Sequence, residues 1–198
     1  EISACLVGSE MCIRDSILLA TLYKLGNIKY FDDFFYDKII FIKNSQVTTI
    51  LKLFTMVGGI IGNIILINFI LIINKKKGLY LLLDIGIIIL LNMLFKNIFM
   101  RERPIGINII LEKGYSFPSG HSMTAVAAYG LIIYYLYHSK YRKYMKVSLI
   151  ILAGVIMFLI PISRVYLGVH YFSDIIAGAC LSIIWLMFYT EYLKRKGI

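Results

Sequence analysis

The sequence predicts an all-α, polytopic membrane helix bundle, and three observations carry that prediction. Apolar runs of about 20 residues, the length that crosses a bilayer, recur along the chain. Hydrophobic residues make up 60% of its 198 residues and charged residues 16%. With a mean hydropathy of +0.81 the chain is too apolar for an ordinary soluble domain. The charges are gathered into short clusters between the apolar runs. A net charge of +10 would by itself fit a nucleic-acid binder. Cations confined to turns between spans are better explained by membrane orientation, so the expected partner is the bilayer and no nucleic acid.

Taken in order, residues 1–16 differ in character from the Ile-, Lys- and Asn-rich remainder, and residues 10–16 resemble a translated sequencing-library adapter. They are set aside as a non-native stretch, leaving residues 17–198 as one membrane-embedded domain. Residues 17–25 are too short to cross a bilayer and read as the remnant of a truncated first helix. Residues 26–46 mix Lys29, Asp32, Asp33, Asp37, Lys38 and Lys43 with aromatics, as an interfacial loop or a short amphipathic helix would. Residues 47–73 form the first complete span, with Gly58, Gly59 and Gly62 available for close helix packing and Lys75-Lys76-Lys77 closing it.

Residues 79–99 form the second span, and a loop over 101–117 follows, with an apolar middle that either lies in the interface or is ordinary loop. Residues 122–137, 147–163 and 175–192 complete five full spans. Asp84 stands apart from the other polar groups, and snorkelling to the nearby interface is favoured for it over a pair across helices. Cys5, Cys12 and Cys180 supply neither a disulfide framework nor a metal-ligand spacing.

Loop charge sets the orientation. The turns at 75–77, 140–146 and 194–196 hold ten Lys and Arg and no Asp or Glu, which places them in the cytoplasm. Parity then puts residues 26–46, 101–121 and 163–174 on the outer face of the cytoplasmic membrane.

Three polar clusters fall on that outer face. Lys96 and Arg103 are seven apart, near one face of a helix after two turns, with Pro104 helping to stop that helix. In Pro118-Ser119-Gly120-His121, Pro118 cannot continue a preceding helix, Ser119 is a good N-cap, and Gly120 lets backbone approach a ligand. The apolar run from Met123 then reads as a helix whose start suits an anion, with His121 able to donate a proton to it. The third cluster is Ser163-Arg164 with His170 and Asp174, four apart, where a carboxylate on the same helical face can fix the imidazole tautomer. Two histidines among three cations suit phosphoryl transfer, which needs positive charge around the equatorial oxygens, an in-line nucleophile and a proton donor for the leaving group. No Asp/His/Cys set with metal-ligand spacing accompanies them, so neither a metal nor another cofactor is expected.

Lys96 with six residues to Arg103-Pro104, then Pro118-Ser119-Gly120-His121, then Ser163-Arg164 with five residues to His170 and three more to Asp174 resembles the three-part motif of the type 2 phosphatidic acid phosphatase superfamily. The resemblance covers about residues 17–192. It implies a six-helix bundle with the first helix truncated here, and a metal-independent phosphatase working through a phosphohistidine. It further implies that His170 attacks phosphorus, Asp174 orients it, and His121 protonates the leaving oxygen. Lys96, Arg103, Ser119, the Gly120 amide and Arg164 would hold the phosphate. The implied partner is a lipid phosphate. Undecaprenyl diphosphate is favoured by a small margin over phosphatidic acid and phosphatidylglycerol phosphate, because recycling that carrier needs a phosphatase on the outer face. The related vanadium haloperoxidases share the site but are soluble. A small transporter is the reading from another class, disfavoured because transporters place polar groups near the bilayer midplane at broken helices in related repeats.

Overall fold

A computed structural model describes residues 28–198 as seven α-helices, with no strand among them. The stretch 1–16 and the expected helix remnant at 17–25 lie outside the described residues. The helices are α1 (Ile28–Ile40), α2 (Ser45–Gly58), α3 (Ile60–Ile73), α4 (Lys75–Phe99), α5 (Gly120–Tyr137), α6 (Lys143–Tyr166) and α7 (Phe172–Arg195).

Helices α4, α6 and α7 are each long and apolar enough to cross a membrane, and α2 with α3 makes a fourth span bent by 59°. The single straight span expected over 47–73 is therefore corrected to a broken one. The cause is local. Gly58 packs so tightly on α6 that an added Cβ would lie 2.3 Å from Ile160 Cγ2, and Gly59 is extended. At the break Asn63 Nδ2 donates to Gly58 O at 3.1 Å and to Gly59 O at 3.0 Å, the latter also accepting from Asn63 N. The span expected over 122–137 is α5, which has 18 residues and a lower mean hydropathy than the other spans.

Two boundaries also move. Lys75-Lys76-Lys77 opens α4 rather than closing the preceding span, because the Asn74 side chain caps α4 by accepting from Lys77 N at 3.0 Å. Pro161 lies inside α6, which runs on to Tyr166; a membrane helix tolerates such a proline where neighbouring helices enclose it.

Helix α5 is the centre of the bundle, packed against α2, α4, α6 and α7. Its sequence explains this placement. Ala125, Ala127, Ala128 and Gly130 allow close approach, and a Cβ at Gly130 would lie 2.4 Å from a Leu186 methyl group. Large apolar side chains such as Ile65, Ile72, Leu90 and Phe158 point outward instead, as a bilayer solvent permits. Asp84 is fully buried and accepts a hydrogen bond from Trp185 Nε1 at 2.7 Å, so the cross-helix pair replaces the snorkelling that was favoured. The indole N–H reaches across from α7 to Oδ1, while Oδ2 is buried with no hydrogen-bond partner among the described residues.

The basic turns gather at one end of the bundle. There Tyr135 OH donates to Lys77 O at 3.3 Å and Tyr134 OH to Ile198 O at 3.0 Å. The polar clusters gather at the opposite end. Helix α1 joins them there, exposing Tyr30 and Phe34 outward while burying Ile28 and Asp32.

Candidate active site

Four helix ends and one loop build the site. Helix α4 brings Lys96 in its last turn and then stops at Phe99, because Met100 takes the left-handed conformation at φ 46° and its N–H caps Lys96 O at 3.0 Å. Arg103 is therefore not on the helix of Lys96, as the seven-residue spacing suggested; it comes from the following loop. Its guanidinium is anchored by backbone, with Nη1 donating to Val169 O at 2.7 Å and Nε to Gly114 O at 3.0 Å. The same Nη1 lies 3.2 Å from His170 Nε2.

The start of α5 follows the expected capping pattern. Ser119 Oγ accepts from Ser122 N at 3.4 Å, and Ser119 N donates to Asp174 O at 3.1 Å. Gly120 is required by space: a Cβ there would lie 2.9 Å from Asn92 Oδ1, while Asn92 Nδ2 holds Pro118 O at 3.0 Å. His121 faces the break between α2 and α3, where a Cβ on Gly59 would come within 3.6 Å of its Nε2. Arg164, Lys96 and His170 all lie within electrostatic reach of His121. The expected site residues thus share one end of the bundle.

His170 and Asp174 meet, with Nδ1 3.3 Å from Oδ2. They do so for a different reason than a shared helical face. His170 precedes α7, and Asp174, in the first turn, turns its side chain back so that Oδ2 also accepts from Tyr171 N at 2.9 Å. With Asp174 on Nδ1, the Nε2 lone pair is left toward the cations. Burial first, then the charges of Arg103, Arg164 and Lys96, push His170 well below the ordinary histidine range, which keeps the imidazole neutral.

Arg164 is fully buried, and its Nε has no hydrogen-bond partner among the described residues. Its Nη1 lies 3.5 Å from Thr55 Oγ1, and its Nη2 pairs with the carboxylate of Glu112 from the 101–119 loop. The other carboxylate oxygen of Glu112 stands 3.9 Å from Arg103 Nη2. Burial alone would raise the Glu112 carboxyl; the charge and hydrogen bond of Arg164, with help from His121 and Arg103, hold it below the ordinary carboxylate range instead. A carboxylate supplied by the chain itself thus sits among the cations as an anion in residence. Glu112→Gln keeps an acceptor for Arg164 but removes the charge an incoming anion must displace. Binding of inorganic phosphate to the purified variant, followed by calorimetry, is expected to tighten, by about tenfold if that displacement is worth about 1.4 kcal/mol. Unchanged affinity would place Glu112 off the anion's path.

Glu112, Thr55, Asn92, Arg101 and Asp32 all take part at this end of the bundle, and none was singled out from sequence. Asp32, Arg101 and Glu112 belong to segments without a motif, Thr55 and Asn92 are isolated polar residues inside apolar runs, and each reaches partners far away in the chain. No group of three or more His, Cys, Asp or Glu able to hold a metal occurs among the described residues.

The profile of the PAP2 superfamily matches residues 77–198, which include every expected site residue. Phosphatidylglycerophosphatase B of Bacillus subtilis (strain 168) is 40% identical over 122 residues, 60% of this chain and 60% of that protein. The undecaprenyl-diphosphatase of Sulfolobus acidocaldarius is 30% identical over 130 residues, 63% of this chain and 58% of that protein. The matches thus span less than two thirds of either relative's length. A crystal structure of a transmembrane PAP2-type phosphatidylglycerolphosphate phosphatase from Bacillus subtilis superposes with a TM-score of 0.84 at 28% identity, covering 94% of this chain and 96% of that one. With the motif residues assembled at one end of a membrane helix bundle and the profile covering more than half of its length, the chain belongs to the PAP2 superfamily.

Proposed function

We propose that this protein is an integral-membrane lipid phosphatase that hydrolyses a phosphomonoester or diphosphate through a phosphohistidine. The observation that carries this reading is the anion cradle. Lys96, Arg103, Arg164 and the start of α5 surround the two histidines, and among the described residues the counter-charge drawn onto Arg164 is the displaceable Glu112 carboxylate.

In this reading the substrate phosphate displaces Glu112 and takes the donors of Arg164, including the unpartnered Nε, together with Arg103, Lys96, Ser119 and the Gly120 amide. His170 Nε2 attacks phosphorus while Asp174 holds the Nδ1 proton and stabilises the imidazolium that forms. The bond from phosphorus to the leaving oxygen breaks, and that oxygen takes a proton from His121, which enters the step as imidazolium once the negative charge of the bound phosphate offsets the surrounding cations. Neutral His121 then accepts a proton from water as the water oxygen attacks phosphorus, and breaking of the P–N bond releases phosphate and restores His170. Cations grouped around the equatorial oxygens stabilise both transition states.

Undecaprenyl diphosphate was the favoured substrate from sequence. Phosphatidylglycerol phosphate stands beside it because the 40%-identical relative bears the name phosphatidylglycerophosphatase B. Purified protein assayed against a panel of lipid phosphates and diphosphates, with and without a divalent-metal chelator, tests the reading. Phosphate release that survives chelation is expected, and the faster of the two lipids assigns the substrate. No release from any lipid, or release lost to the chelator and restored by a metal, would sink it.

The site is proposed to face away from the cytoplasm, since the basic turns lie at the other end of the bundle. Single cysteines at Ile107 and Tyr141, in a background without Cys5, Cys12 and Cys180, are expected to label oppositely in intact cells: an impermeant thiol reagent reaches the former and misses the latter. Labelling at Tyr141 alone would invert the topology.

A further inference from the structure

Helix α1 carries one residue that its exposed, aromatic-rich surface does not explain. Asp32 is only 2% exposed, although the helix otherwise lies at the periphery of the site end. Its Oδ1 accepts from Ser173 N at 2.8 Å, and its Oδ2 accepts from Ser173 Oγ at 2.9 Å and from Arg101 Nη2 at 2.6 Å. The other end of the Arg101 fork goes to the catalytic carboxylate, with Nη1 2.7 Å from Asp174 Oδ1. Arg101 Nη1 also donates to Ser173 Oγ at 2.7 Å, and the guanidinium lies 3.9 Å from the ring centre of Tyr171.

We propose that Asp32 and Arg101 are positioning residues for the nucleophile, acting through Asp174 on His170. The inference rests on the phosphatase reading above. Asp174 has two oxygens with different tasks: Oδ2 faces His170 Nδ1 and Oδ1 is held by Arg101. A guanidinium fork prefers to bind one carboxylate with both nitrogens. Here a second buried carboxylate takes one nitrogen, so Arg101 is shared between Asp32 and Asp174 and leaves Oδ2 to the histidine. Without the charge of Asp32, the fork is free to swing wholly onto Asp174 and draw Oδ2 from Nδ1. The side chains of Arg103 and Arg164 are anchored on Val169, Gly114 and Glu112 rather than on Asp32 or Arg101.

This arrangement predicts a distinctive kinetic pattern for Asp32→Asn. Its kcat falls about tenfold or more, while KM and competitive inhibition by inorganic phosphate stay within about twofold of wild type. The loss is equal for a lipid phosphomonoester and an activated aryl phosphate, since the defect lies in the attacking group and not in leaving-group protonation. Arg101→Lys loses the fork and shows the same pattern, and the double variant is no worse than the single ones, as expected of residues acting as a unit. The number of phosphate-binding sites per protein, measured by calorimetry, separates positioning from folding: it is unchanged in the variants. A kcat within twofold of wild type in Asp32→Asn, or a loss accounted for wholly by fewer binding sites, overturns the proposal. His170→Ala run alongside keeps the two readings apart. Turnover retained there sinks the phosphatase mechanism, whereas turnover lost there but kept in Asp32→Asn sinks only this inference.

Discussion

His170→Ala is expected to yield neither product nor covalent phosphoenzyme with any phosphate ester. In the proposed mechanism the variant removes the atom that forms the bond to phosphorus, and no other imidazole at the site is held by a carboxylate as His170 is by Asp174. His121→Ala leaves that nucleophile in place. Its defect is expected to be large, about 10²- to 10⁴-fold, for a lipid phosphomonoester whose alkoxide leaves poorly without a proton. The defect shrinks for an activated aryl phosphate, which needs little help. Asp174→Asn falls between the two, because it misdirects the tautomer of His170 while keeping the side chain's shape. Single-turnover assays with labelled substrate, read for both released phosphate and trapped phosphoenzyme, check all three. Turnover retained by His170→Ala would overturn the phosphohistidine mechanism.

The second large effect is expected at the arginines. Arg164 is fully buried, with one nitrogen on Glu112, one near Thr55 and a third without a partner among the described residues. Lysine keeps the charge but cannot present a planar set of donors to two phosphate oxygens. Arg164→Lys should therefore lower kcat/KM by about tenfold or more, corresponding to about 1.4 kcal/mol of lost transition-state contact. Arg103→Lys should lose at least as much, because the same guanidinium also ties Val169 and Gly114 around the site. Near wild-type kcat/KM in both variants would demote the two arginines to interface anchors.

Some of this site was legible in the sequence because its chemistry is local. Ser119 caps α5 for a reason that adjacent residues express, whereas Gly120, expected to let backbone approach a ligand, is required by the close approach of Asn92 from α4. The pairing of His170 with Asp174 was expected from their spacing, although an N-terminal carboxylate folded back on its own helix start achieves it rather than a helical face. The bundle itself was legible from the length and apolarity of its runs. What could not be read depends on contacts between distant segments. Asp32 and Arg101 are 69 residues apart in the chain, and Glu112 and Arg164 are 52 apart. No periodicity or motif pairs a loop glutamate with a helix-end arginine. The break at Gly59 escaped for a related reason. Two adjacent glycines are compatible with a continuous membrane helix, and it is the fit of Gly58 against Ile160, together with the side chain of Asn63, that makes the bend favourable.

The dependence of the start of α5 on α7 has a consequence for when the protein becomes active as it is made. Ser119 N bonds to Asp174 O and Ser122 Oγ to Ile175 O at 2.6 Å, so the backbone of the last described helix completes the turn where α5 begins. A chain emerging from the ribosome and inserted only as far as α6 already carries Lys96, Arg103, Ser119, His121 and Arg164, but lacks His170 and Asp174. Under the proposed mechanism, cleavage would have to wait until α7 is in place, since the residues leading into it and its first turn carry His170 and Asp174, and that turn holds Ser119.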